Sequence, residues 1–273
     1  MARVLSLSAL TVLELPPPDM VTCAREAGYS HVGLRLVPAT PTEVSYDTIG
    51  DTPTIRQTLA RLAATGIKVL DVEILRLKPE TKIADFRGVL ETAARLGATN
   101  ALVADNDPDE ARFTENFAAL CDVAAPFGIA PNLEPMPWTE ARNFAQGARI
   151  VGNAKRANAA LLIDPLHFDR GGSVASEIES VPTSWIRYIQ MCDAPAERPT
   201  TLDGLLHHAR AERMLPGEGG LDLKGILRAV PADTPISVEI PQEELAKTVP
   251  AVERSRRALI ATQALLRSLR HPA

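Results

Sequence analysis

The hydrophobic pattern along this chain switches period again and again. Short β-branched or apolar runs, most with a polar residue at or near the end, occupy residues 4–10, 31–36, 68–75, 100–105, 130–134, 160–164, 186–192 and 236–240. Each run predicts a strand. Between them the apolar spacing is helical. Met20, Cys23, Ala24 and Ala27 form one stripe, and Phe113, Phe117, Leu120, Cys121 and Ala124 form another. Val174, Ile178 and Val181 make a weaker one, and Val252, Leu259, Leu266 and Leu269 close the chain. Gly28, Gly66, Gly97 and Gly128 stand shortly before the next strand, where a helix C-terminus favours glycine. Pro18, Pro53 and Pro108 stand near helix starts, where a missing N–H does no harm.

Strand and helix alternating eight times imply parallel strands joined by right-handed crossovers. The predicted class is α/β, and eight such units close into a (β/α)8 TIM barrel. The rival is a doubly wound open sheet, which usually carries a glycine-rich loop after its first strand. Residues 8–18 contain no glycine. No linker or composition shift divides the chain, so residues 1–273 read as one domain.

Active sites of such barrels lie where the strands end, at their C-terminal face. Here the ends carry Glu73, Asp105, Glu134, Asp164, Gln190 with Asp193, and Glu239. Glu134, Asp164, Gln190 and Glu239 lie at equivalent depths on four consecutive strands. Taken singly, each reads equally well as a polar residue where a strand meets water. Converging at one mouth, three carboxylates and an amide oxygen repel one another unless positive charge is supplied. One divalent metal ion, Mn2+, Mg2+ or Co2+, suits hard oxygen ligands of this kind. Glu73 and Asp105 are candidates for an outer shell or for substrate contact.

His167 lies three residues after Asp164 and can reach a substrate oxygen or cap the following loop. His207 and His208 fall in an irregular stretch and read as surface residues. Residues 193–220 form a long loop whose tail, Arg213 to Gly220, is glycine-rich. Its backbone N–H groups can hold an anion or make a plain turn, and Arg213 can bond a substrate oxygen. Trp138, close behind Glu134, can wall a sugar-sized pocket or pack into the core.

Composition narrows the partners. Asp and Glu number 34 against 29 Lys and Arg, a net charge of −5 that gives no footprint for nucleic acid. No apolar run is long enough to span a bilayer, and residues 1–19 lack the form of a secretory signal. The three cysteines are far apart and build no disulfide framework, which suits the cytoplasm. A small-molecule substrate is expected, without membrane or nucleic acid. Helices on the outside of such barrels often pair, so a homo-oligomer stays open.

At these residues the chain resembles the xylose isomerase-like TIM barrels, which include sugar phosphate isomerases and epimerases. The resemblance rests on Glu134 in NLEPMPW, Asp164 and His167 in LLIDPLHF, Gln190 in YIQMCDA, Arg213 ahead of PGEG, and Glu239 in SVEIP. It runs from LSLSAL onward through essentially the whole chain. It implies a divalent ion on Glu134, Asp164, Gln190 and Glu239. It also implies that Glu134 and Glu239 exchange protons with opposite faces of a substrate whose enediolate the ion stabilises.

Many epimerases of the family have His where Gln190 stands. Gln190, with His167 three residues after Asp164, resembles the 3-dehydroshikimate dehydratases of the same superfamily, so dehydration of a cyclic hydroxy-ketone rivals epimerisation. Both begin with loss of a proton next to a polarised carbonyl. DNA-repair endonucleases of the superfamily use many His ligands, and this chain has five His in all. A non-catalytic barrel that binds a metal and a sugar is the remaining alternative, against which the complete ligand set argues.

Overall fold

In the computed structural model, which describes residues 3–270, eight parallel strands close into a barrel in chain order. They are β1 (Leu5–Leu7), β2 (His31–Arg35), β3 (Lys68–Leu77), β4 (Asn100–Asp105), β5 (Ala130–Leu133), β6 (Ala160–Ile163), β7 (Ile186–Met191) and β8 (Ile236–Val238). β8 pairs back onto β1, with Leu5 opposite Ile236 and Leu7 opposite Val238. Closure leaves no edge strand to invite a foreign one. Around the barrel run α1 (Pro17–Ala27), α2 (Pro53–Thr65), α3 (Arg87–Leu96), α4 (Glu110–Ala124), α5 (Phe144–Ala154), α6 (Pro165–Arg170), α7 (Ala175–Ile178), α8 (Leu202–Arg210), α9 (Leu223–Ala229), α10 (Glu243–Ala246) and α11 (Ala251–Arg270). Among the described residues no helix is long and apolar enough to cross a membrane.

All eight expected strands form, and the structure is the (β/α)8 barrel that the alternation predicts. Gly28, Gly66, Gly97 and Gly128 all take positive φ and end their helical segments. β3 runs two residues past its expected end, to Leu77, through register shifts against both neighbours. Three short helices depart from the expected pattern. α6 is announced by its cap, Asp164 followed by Pro165, and not by a stripe. α8 corrects the irregular reading of the segment with His207 and His208. Thr201 caps it, and Leu202, Leu205, Leu206 and Ala209 carry helical spacing. α10 is a single turn. The weak stripe at Val174 shrinks to the one-turn α7, with Val174 exposed and Ile178 buried.

Two apolar cores result. The larger packs strands against helices, for instance through Phe113, Phe117 and Leu120 of α4. The smaller contains no helix residue and fills part of the lumen with Leu70, Ile74, Leu102, Ala104, Met136, Leu162 and Tyr188. The remaining lumen is polar, with Ser6, Ser8, Asp71, Glu73, Ser237 and Glu239 all buried. Asp71 on β3 lies against Gly33 of β2, its partner in register. A Cβ at Gly33 would stand 2.9 Å from an Asp71 carboxylate oxygen, so the missing side chain makes room for the acid. Burial first, then the charges of Glu73 and Glu239, push the Asp71 carboxyl well above the usual carboxylate range. It is therefore held as the neutral acid.

Gly33→Ala forces a methyl group into this contact and should cost about 1–3 kcal/mol of stability. The same change made in an Asp71→Ala background should cost much less, because the clashing atoms are gone. Urea midpoints of the four proteins test this, and additive losses would disprove the contact.

Candidate active site

Glu134 leaves the end of β5, its position fixed by a backbone N–H donated to the Val103 carbonyl at 2.9 Å. On the next strand Asp164 serves as N-cap of α6. Its Oδ1 accepts the backbone N–H groups of Leu166 at 2.8 Å and His167 at 3.1 Å, with Pro165 in the first helical position. This cap turns the chain so that His167 faces Glu134, with Nε2 3.9 Å from Oε1. The Trp138 ring meets the imidazole edge-on, centroid to centroid 4.8 Å. Glu134, Asp164 and His167 each offer one ligand atom, all within 4.8 Å of one another.

Arg213 binds two of the expected metal ligands together. Its Nη1 donates to Asp164 Oδ2 at 2.5 Å, its Nη2 lies 3.0 Å from Glu239 Oε2, and its Nε donates to the Ala209 carbonyl at 2.8 Å. The guanidinium expected on a substrate oxygen is thus engaged with two carboxylates, although Arg213 still lines the cavity. Glu239 Oε1 also accepts Ser8 Oγ at 2.7 Å and Gln190 Nε2 at 2.8 Å. On the opposite side Arg35 pairs with Glu73 at 2.8 Å and with Glu43 at 2.9 Å, fixing Glu73 at the cavity wall.

The environment separates these acids. Burial, then the charges of Asp164 and Glu239, push Glu134 well above the usual range. Burial also opposes ionisation of Asp164, yet Arg213 and His167 outweigh it and hold the group below its ordinary value. Burial lifts Glu239 to about 7 against the pull of Arg213, with Glu73 and Asp164 adding to the rise. Burial depresses His167 to about 4 despite the attraction of Asp164, so the imidazole is neutral near pH 7.

Two expectations resolve differently. The glycine-rich tail after Arg213 is filled by the protein's own anion. Asp193 accepts the backbone N–H groups of Gly217, Gly219 and Leu221 at 2.9–3.2 Å. A Cβ at Gly219 would stand 2.4 Å from an Asp193 carboxylate oxygen, so no separate anion is needed to explain that turn. Asp105 turns back to accept the Asp107 N–H at 3.0 Å and braces the loop after β4. Sequence reasoning missed Ser8, Arg35, Arg76 and Tyr188. Ser8 within LSLSAL and two arginines each one residue from an expected strand end were the available signals.

A divalent cation fits this donor set. Glu134 Oε1 and Gln190 Oε1 are buried and have no hydrogen-bond partner among the described residues, as does Nδ1 of His167. Buried oxygens left without donors carry a desolvation cost that a cation relieves. Gln190 turns its amide nitrogen to Glu239, which leaves its oxygen free to serve as a ligand.

A cavity of about 340 Å3 opens over these groups. Glu73, Glu134, Trp138, His167, Arg213 and Glu239 all line it. Asp164 and Gln190 lie behind it, buried with the groups that they touch.

The 3-dehydroshikimate dehydratase of Pseudomonas aeruginosa is 29% identical over 195 residues, which cover 63% of this chain and 30% of that protein. The inosose isomerase of Bacillus subtilis is 27% identical over 158 residues, 54% of this chain and 55% of that protein. The matched stretches therefore span about a third to a half of these curated relatives. A crystal structure titled IOLI protein with a binding zinc atom superposes with a TM-score of 0.78 at 21% identity, covering 97% of this chain and 99% of that one. A family model described as xylose isomerase-like TIM barrel matches residues 21–265. With that match over most of its length, this chain belongs to the xylose isomerase-like TIM barrel family.

Proposed function

We propose that this protein is a divalent-metal-dependent isomerase or epimerase of sugars or sugar phosphates that moves a proton next to a carbonyl. One observation carries the reading above others. Glu134, a buried carboxylate at the cavity wall, has an oxygen with no hydrogen-bond partner and no arginine or lysine partner among the described residues. Glu134, Asp164, Gln190 and Glu239 are the residues that would hold the ion, and the zinc named in the IOLI structure supports a cation in this fold. Bound there, a divalent ion supplies Lewis acidity to a substrate carbonyl and lowers the barrier to loss of the adjacent proton.

The remaining work falls to side chains. Glu134, just after β5, and Glu239, just after β8, approach the cavity from different strands of the barrel. One removes the proton and the other returns it, each needing a basicity that the dry site raises. Glu239, at about 7, is poised for either direction near neutral pH. Arg213 orients Glu239 and Asp164, and the Trp138 ring gives a sugar face an apolar wall. A second reading, dehydration of a cyclic hydroxy-ketone, is favoured by His167. A neutral imidazole beside Glu134 can take the abstracted proton from Glu134 at one nitrogen and give one from the other to the departing hydroxide, which leaves as water.

Glu134→Gln and Glu239→Gln should each lower turnover about 10²–10⁴-fold while the fold persists. Exchange of the α-proton in D2O, followed by NMR on keto-sugars, an inosose and 3-dehydroshikimate, reports the shared first step. EDTA should abolish exchange, and Mn2+, Mg2+ or Co2+ should restore it. Absorbance from an aromatic product would mark the dehydratase. Wild-type exchange by either variant, or by exhaustively chelated protein, would refute the assignment.

His167 also predicts a pH dependence of stability. Its folded pKa of about 4 lies below the ordinary value near 6.5, so between these values the unfolded chain binds the proton and the folded one does not. The contribution from this group is complete above about pH 6.5 and is lost as pH falls toward about 4, roughly 3 kcal/mol in all. The stability difference between wild type and His167→Asn, from urea curves at pH 4.5 and 7.5, should shrink by about 2–3 kcal/mol at the lower pH. An unchanged difference would mean that the imidazole is charged in the fold.

A further inference from the structure

Four arginines line the mouth cavity, and they divide into two kinds. Arg35 and Arg213 are each clamped between two carboxylates. Arg76, near the end of β3, and Arg210, the last residue of α8, have no ion-pair partner among the described residues. Arg76 is nonetheless held in place. Its Nε donates to the Ala39 carbonyl and its Nη1 to Asn106 Oδ1, both at 3.1 Å. These bonds aim the guanidinium while leaving Nη2 without an acceptor among the described residues. Arg210 makes no side-chain hydrogen bond among the described residues.

The same two side chains also line a second cavity of about 330 Å3 beside the first, together with Lys78 and Glu80. Neither Lys78 nor Glu80 pairs with them. They are close enough to repel. Burial first, then the charges of Arg210 and Arg35, depress the pKa of Arg76. They are also within electrostatic reach of the reacting end, since Arg210 acts on His167 and Glu134 acts on Arg76. A dication placed on Glu134 and Asp164 leaves Arg76 and Arg210 as unneutralised positive charge on the cavity wall.

We propose that Arg76 and Arg210 form an anion subsite, so that the substrate is a hydroxy-ketone carrying a carboxylate or phosphate group. This rests on the reading of the site as one for α-proton transfer and specifies its substrate. Two guanidinium groups, one fixed by backbone and amide acceptors and the other on a helix end over the cavity, match the planar oxygens of such a group. A neutral polyol would bring no charge to meet these two side chains. Arg76 supplies the preformed half of the subsite, and Arg210 closes it from the long segment between β7 and β8.

Calorimetry with Mn2+-loaded protein tests this with three probes: shikimate for a carboxylate, fructose 6-phosphate for a phosphate, and myo-inositol for neither. At least one anion should bind about tenfold tighter than the neutral polyol, and which one does identifies the group. Arg76→Gln and Arg210→Gln should each weaken that anion about tenfold or more, and Arg76→Lys should recover part of the loss. Arg210 is exposed, so its variant keeps the test valid if Arg76→Gln destabilises the fold. Equal affinity for all three probes would overturn the proposal. So would variants that weaken myo-inositol as much as the anion. The D2O exchange assay on the same proteins separates the two readings. Anion selectivity without exchange on any ketone would refute the enzymatic reading alone, and exchange without anion selectivity would refute the subsite alone.

Discussion

A carboxylate taken out of water must find a cation, share a proton, or surrender its charge. The mouth of this barrel buries Asp71, Glu73, Glu134, Asp164 and Glu239 within a few strands of one another. The fold answers with two guanidinium clamps. Arg213 spans Asp164 and Glu239, and Arg35 spans Glu73 and Glu43. Ser8 adds a hydroxyl between Glu73 and Glu239. Asp71 takes the neutral solution, wedged against Gly33. Among the described residues Glu134 has no arginine or lysine partner and no donor for its Oε1, and it lies with Asp164 and His167, one ligand atom of each falling within 4.8 Å of the others.

This division of labour follows from the geometry of parallel strands. Side chains two residues apart on one strand share a face, so Asp71 and Glu73 both enter the lumen one layer apart. The upper layer carries Glu73 and Glu239, each paired with an arginine, and the lower layer carries Asp71 with small hydroxyls at Ser6 and Ser237. Tyr188 lies in the lower layer with its hydroxyl unpartnered, its ionisation suppressed by burial and by the nearby acids. Polarity therefore continues beneath the candidate site, where a barrel of this size usually stacks branched apolar residues.

Much of this was legible in the sequence. The strand ends were legible because a polar residue stands at or within two residues of the end of the last four runs, which singles out Glu134, Asp164, Gln190 and Glu239. His167 was legible because an Asp-Pro step caps a helix and fixes the direction of the next turn. The arginine partners were not. Whether Arg213 reaches a substrate or a carboxylate depends on how a 28-residue segment folds back over the barrel, where its Nε donates to the Ala209 carbonyl of α8 and its backbone N–H to the Pro241 carbonyl. Asp193 was read as a strand-end acid, yet its real work is to fill the glycine turn that looked like an anion cradle. A backbone nest attracts any anion in reach, and the nearest belonged to the chain itself.

The choice between returning a proton and expelling a hydroxide turns on what faces the carbon beyond the enolising one. An epimerase needs a second base of matched strength across the substrate, and Glu239 meets that need, with Arg213, Ser8 and Gln190 defining where its oxygens lie. A dehydratase needs a group that passes a proton to the hydroxyl as it leaves. His167 can do so, because its neutral imidazole can accept the proton from Glu134 at one nitrogen and give one at the other, and Trp138 packs edge-on with the ring. Both groups sit at one cavity, so the side chains can support either outcome. The deciding factor is then the pose of the substrate, which determines whether its β-hydroxyl points at the imidazole. An anionic substituent held at Arg76 and Arg210 would fix that pose from the far wall, which makes two side chains remote from the reacting carbon the arbiters of the reaction.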